Sequence, residues 1–190
     1  MLQQTQVSRV LEYWPRFLKR FPTLSALATA RESEVVRGWA GLGYYARARN
    51  LHKLSRAVVR EGGSAWGDPT AAPGTLPTTP EHLRALPGIG AYTAGAVASF
   101  AHEQRAALVD TNVARVLSRV FAPQLKPKRP RDLKRIWLIA ETILPRTGKA
   151  TWTHNQALME LGALVCTARI KRCPICPVRT LCSTYKHSNE

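Results

Sequence analysis

Four cysteines, the only ones in the chain, fall between positions 166 and 182 with the spacing C-x6-C-x2-C-x5-C: Cys166, Cys173, Cys176 and Cys182. Four thiolates this close in sequence can converge on one centre. Four soft sulfur ligands suit a four-iron cluster or a structural zinc, and zinc is the commoner occupant of a generic four-cysteine site. In a reducing compartment they do not read as a disulfide framework. A second chemical group is Asp110. The apolar run Ala106-Ala107-Leu108-Val109 delivers its carboxylate to the start of a helical pattern, where an aspartate is also an ordinary N-cap. A third cluster is Gly41-Leu42-Gly43-Tyr44-Tyr45-Ala46-Arg47. It reads as a glycine turn with core tyrosines, or, on a basic protein, as an aromatic wedge that enters a base stack.

The elements that must position these groups centre on residues 79–117. Glu81 to Leu86 reads as a short helix ended by Pro87, and a small-residue helix follows from Ala91 to Ala101. Between them lies Leu86-Pro87-Gly88-Ile89-Gly90. Glycine at 88 and 90 permits positive φ and close approach of a ligand, and the free N–H groups of the second helix favour an anion such as phosphate. Such a corner is also a common way to join two helices.

Along the rest of the chain, residues 3–20 form an amphipathic helix with Val7, Val10, Leu11, Trp14 and Leu18 on its apolar side. No cap precedes it, so the chain reads as starting inside a helix. Helices are expected at 24–30, capped by Thr23, and at 32–39, 47–59, 111–121, 131–144 and 152–165. Residues 62–80, with four glycines and four prolines, read as a loop, and the basic run 126–131 as a solvated connector. No strand or repeat stands out, so the fold class is all-α.

Lys and Arg total 28 against 12 Asp and Glu in 190 residues, a net charge of +16. Such an excess suits a polyanion, with nucleic acid the first candidate. No transmembrane run, signal peptide or long basic amphipathic stretch points to a membrane, so a cytoplasmic, nucleoid-associated monomer is expected.

LPGIG with YTAGAV, then VDTNVARV, resembles the helix-hairpin-helix DNA glycosylases. With MLQQTQV, GWAGLGYYARARNLHK, NQALMELGALVC and the cysteine loop, nearly the whole chain is similar to the MutY-type adenine DNA glycosylases. The resemblance implies a six-helix domain (1–107, hairpin at 79–101) and a helical domain (108–190) whose loop 166–182 binds a [4Fe–4S] cluster. It implies base-excision repair: hydrolysis of the N-glycosyl bond of adenine opposite 8-oxoguanine or guanine, in mismatched double-stranded DNA. Asp110 would stabilise the sugar cation and Asn112 would hold the aspartate and water. Tyr92 stands where bifunctional relatives carry a Schiff-base lysine, so strand cleavage is expected to be weak. Gln4 and Tyr44 match the residues that fill the gap and wedge beside the purine, and Gln156 the one that reads the extruded adenine. Arg47, Gly88 and Gly90 complete the expected DNA contacts.

Two departures shape the expectation. The family's general acid, a glutamate two residues before the methionine matching Met1, has no counterpart, and none of the first eleven residues is acidic. Losing general-acid help costs ~10²–10⁴-fold. The family's lesion-sensing second domain is also not among these 190 residues. Impaired excision is therefore expected, from a misassigned start or fragment, or from a degenerate DNA-binding paralogue. A mismatch thymine or uracil glycosylase is the alternative enzyme, although Gln3, Gln4 and Gln156 lean toward adenine. A zinc-stabilised DNA binder fits charge and cysteines but leaves the LPGIG…VDTN spacing unexplained.

Overall fold

The computed structural model describes residues 1–67 and 71–186. Its helices run α1 (Val7–Arg20), α2 (Leu24–Thr29), α3 (Glu32–Gly38), α4 (Ala46–Glu61), α5 (Pro80–Ala85), α6 (Ala91–His102), α7 (Thr111–Phe121), α8 (Pro130–Thr142), α9 (Gly148–Glu160) and α10 (Ser183–Lys186). No strand forms among the described residues; the pairing of Cys166 with Lys171 is an isolated bridge. The all-α reading holds. No helix among the described residues is long and apolar enough to cross a membrane.

The first helix differs from expectation. It begins at Val7, because Gln6 is extended and residues 1–5 form a turn in which the Thr5 N–H donates to the Leu2 carbonyl at 3.4 Å. Its expected apolar side also divides. Val10 and Phe17 are buried, whereas Val7, Leu11, Trp14 and Leu18 are exposed. The helix carries two apolar stripes and only one packs. Thr23 caps α2 as its position implies, accepting the Ala26 N–H at 3.0 Å. The loop 62–80 contains a 3-10 turn, Gly62–Trp66, that buries Trp66; residues 68–70 lie outside the described residues. Thr147 starts α9 earlier than expected by accepting the Ala150 N–H at 3.3 Å. A π-helical turn, Leu161–Val165, ends it.

By contact the chain forms two compact units, Met1–Pro77 with Glu81–Ile89, and Thr78–Pro80 with Gly90–Glu190. The contact division falls at the glycine corner. The reason lies in α6: its buried Ser99 Oγ accepts a hydrogen bond from Asn155 of α9 at 2.9 Å, which ties the helix to the second unit.

In the first unit Phe17, Phe21, Val35, Trp39 and Leu42 form one core, with Phe17 edge-on to Trp39 at 5.7 Å between ring centres. Leu54, Val58, Trp66 and Leu86 form another, against which Ile89 packs. The second unit is built on Leu108, Val109, Val113, Leu117 and Ile136. Each such side chain contributes up to about 1.5–3 kcal/mol on burial. Asp110 sits between Val109 and Val113, so the core on either side fixes the backbone that carries its carboxylate.

Candidate active site and cysteine loop

Asp110 is the N-cap of α7. Its Oδ1 accepts the Val113 N–H at 2.7 Å and its Oδ2 accepts from Asn112 Nδ2 at 3.4 Å. The cap role and the chemical role are thus compatible, since one oxygen is bound tightly and the other only weakly. The residue is half-buried. Asn112 is itself held, because its Oδ1 accepts from Arg115 Nη2 at 2.8 Å. Arg115 reaches on to the Gly162 carbonyl at 2.7 Å and to the Cys166 carbonyl at 2.9 Å. Glycine is required at 162: an added Cβ would stand 2.7 Å from the Cβ of Asn112. The π-helical turn therefore does two jobs, bringing a bare backbone against Asn112 and offering a carbonyl to Arg115.

Tyr92 packs against the Leu108–Leu117 core. Burial raises its phenol pKa, and the nearby Asp110 carboxylate raises it further. The phenol stays protonated at neutral pH beside the carboxylate. Sequence reasoning missed the residue that holds this arrangement from behind. Asn155 is 2% exposed, and its amide donates to Ser99 Oγ and to the Ala106 carbonyl, both at 2.9 Å. Its signal was a polar residue on the buried side of α9, in step with buried Thr151. Gln156, one position on, donates to Glu160 Oε1 at 2.8 Å, so its amide must leave that partner to read a base.

In the first unit, Gly88 takes φ +77° with the Asn50 side chain against its Cα, and a Cβ there would lie 2.6 Å from Asn50 Cβ. Gly90 is different: at φ −88°, ψ 174° it is an extended N-cap of α6, so the expectation of positive φ at both glycines is met only at Gly88. Gln4 and Tyr44 are both exposed and both left-handed, with φ +56° and +48°. Arg47, expected to meet DNA, instead turns its guanidinium inward to the main-chain carbonyls of Met1, Gln3, Leu42 and Gly43.

All four cysteines line one cavity of about 210 Å³, floored by Val116, Val120 and Leu161. Each is partly exposed. Arg119 Nη1 donates to Cys166 Sγ at 3.2 Å and to the Thr167 carbonyl at 2.8 Å, an arrangement suited to a thiolate ligand. Among the described residues, no three His, Cys, Asp or Glu side chains are grouped as one ion would hold them. The donor set and the shared apolar cavity nonetheless fit a group that takes four separate thiolates.

Comparison with known proteins gives a consistent result. The family model described as HhH-GPD superfamily base excision DNA repair protein matches residues 1–138. The chain is 44% identical over 183 residues to adenine DNA glycosylase of Homo sapiens, covering 96% of this chain and 31% of that protein. It is 45% identical over 179 residues to adenine DNA glycosylase of Mycolicibacterium smegmatis, covering 94% and 56%. Among solved structures, a thermostable thymine-DNA glycosylase superposes with TM-score 0.82 at 28% identity, covering 98% of this chain and 80% of that one. A non-covalent endonuclease III–DNA complex follows with TM-score 0.76 at 25% identity, covering 99% and 81%. The chain spans about a third to just over half the length of these curated relatives.

Proposed function

The chain belongs to the HhH-GPD superfamily of base excision DNA repair proteins, and on that footing we propose that it hydrolyses the bond between deoxyribose and an adenine mispaired with 8-oxoguanine or guanine. The observation that carries the reading is the Asp110 carboxylate, fixed by the core below it and by Asn112 beside it. The target bond is out of reach inside a duplex, so the nucleotide is everted first. As the C1′–N9 bond breaks, positive charge grows on the sugar. Asp110 stabilises that cation electrostatically and, with Asn112, orients the water that adds to C1′. Adenine leaves with the bonding electron pair and takes a proton from solvent, while the water that adds to C1′ releases one to solvent. Tyr92 offers no amine, so no Schiff base forms and the chemistry stops at base removal.

Cys166, Cys173, Cys176 and Cys182 would hold a [4Fe–4S] cluster, which when bound cross-links the loop and takes no part in base removal. The purified protein is expected to be brown, with broad absorption near ~400 nm, and to contain iron rather than zinc.

Adenine is favoured over thymine because the relatives named adenine DNA glycosylase share 36–45% identity with the chain, against 28% for the thymine-DNA glycosylase structure. The test is single-turnover excision on adenine–8-oxoguanine, adenine–guanine and thymine–guanine duplexes, with protein in excess and long incubation. Excision is expected only on the adenine duplexes. Asp110→Asn, which preserves a good N-cap, is expected to abolish it while duplex binding stays. Unchanged excision in that variant reduces Asp110 to a cap.

A further inference from the structure

We propose that Arg47 is a positioning residue: it clamps two chain segments so that Gln4 and Tyr44 stand out as a rigid two-pronged probe for a mispaired or unstacked base. The inference rests on the DNA glycosylase reading and assigns the residue a place in the same binding event. It replaces the expectation that Arg47 itself contacts the DNA.

The guanidinium is spent on the protein's own oxygens. Nη1 donates to the Met1 carbonyl at 2.7 Å and to the Gln3 carbonyl. Nη2 donates to Thr5 Oγ1 at 3.0 Å and to the carbonyls of Leu42 and Gly43, both at 3.2 Å. The charge also lies over the rings of Trp39, at 5.4 Å, and Tyr44, at 5.7 Å. An arginine that reads phosphate keeps its fork outward; this one has turned it to five neutral acceptors.

The choice of acceptors explains the backbone beside them. Gln3 immediately precedes Gln4, and Gly43 immediately precedes Tyr44. Gln4 and Tyr44 are two of only three non-glycine residues with positive φ among the described residues. Side chains with a Cβ avoid that conformation unless the surroundings impose it. By bonding the peptide carbonyl just before each, one planar fork imposes it at both sites. The result is an exposed amide and an exposed phenol, Tyr44 at 65%, on adjacent segments. The amide offers a hydrogen-bonding edge and the phenol a flat face, the two features that recognise a base out of its stack. Arg9 braces the same turn from another side, donating to the Gly41 carbonyl at 3.1 Å. Lysine keeps the charge but has a compact head with no fork, and cannot span both segments.

The test compares the full chain with Arg47→Lys, Arg47→Gln, Tyr44→Ala and the Arg47→Lys/Tyr44→Ala double variant. Without DNA, amide hydrogen exchange in residues 1–6 and 41–45 is expected to rise about tenfold in Arg47→Lys, with α7 unchanged. Thr5→Val, which removes one acceptor, is expected to give a smaller rise in the same segments, and serves if Arg47→Lys does not fold. With DNA, Arg47→Lys is expected to lose about tenfold in preference for an adenine–8-oxoguanine duplex over a matched one. The double variant is expected to be no worse than Tyr44→Ala alone. Unchanged exchange in both segments overturns the clamp. So does a fall of about one in the salt slope of Arg47→Gln, the mark of a lost phosphate contact. If the parent itself shows no mismatch preference, the glycosylase reading fails while the exchange measurement still decides the clamp.

Discussion

A carboxylate at the head of a helix makes the same main-chain bond whether it caps or catalyses, so its role has to be found in what holds its second oxygen. Here that is Asn112, and behind it Arg115, whose three acceptors lie on Asn112, Gly162 and Cys166. Arg115→Gln is expected to lower excision more than duplex binding and to release iron faster on chelator challenge; equal losses in both would mean that the link only stabilises the unit. Tyr92 carries a simpler expectation: borohydride should trap no covalent protein–DNA adduct, because a phenol forms no imine. His154 sets a pH dependence. Its Nε2 is buried with no hydrogen-bond partner, and burial pushes its pKa below the ordinary value. The unfolded chain therefore takes up this proton at higher pH than the folded one. The stability that neutral His154 contributes is complete above ~6.5 and is lost as pH falls from there through the lowered folded value. Melting temperature should drop between pH about 7.5 and 5.5, and drop less in His154→Gln.

At the scale of elements, α9 and its terminal π-helical turn are the scaffold behind the carboxylate. Asn155→Ala would leave the Ala106 carbonyl without its donor inside the core. A buried unsatisfied group costs about 1–3 kcal/mol, which for a chain this long lowers Tm by roughly 2–12 °C. Calorimetry on the variant checks this, and a loss near zero would mean that water replaces the amide. The first helix shows where periodicity misleads. Val7, Leu11, Trp14 and Leu18 have helical spacing, yet all four are exposed while Val10 and Phe17 are buried. Apolar spacing identifies a helix, but a helix with two apolar stripes does not reveal which stripe the neighbours cover.

At the scale of the whole molecule, the net charge of +16 sets non-specific affinity for DNA. That affinity should fall linearly in log–log plots against salt, with a slope of about −0.9 per phosphate neutralised. A flat salt response would remove the duplex from the account altogether.

The sequence by itself determined the helical class, the glycine corner, the cap at Asp110 and the four-cysteine spacing. Each is local: it depends on residues a few positions apart and on backbone preferences that neighbours seldom override. The tertiary structure alone decided what depends on distant contacts. It turned Arg47 inward, put Gln4 and Tyr44 into the left-handed region, set Asn155 behind the segment that leads to the carboxylate and placed the contact division at the corner. A side chain's charge is written in its type, but the oxygens it meets come from segments that sequence order keeps apart, and only packing brings them within hydrogen-bond reach.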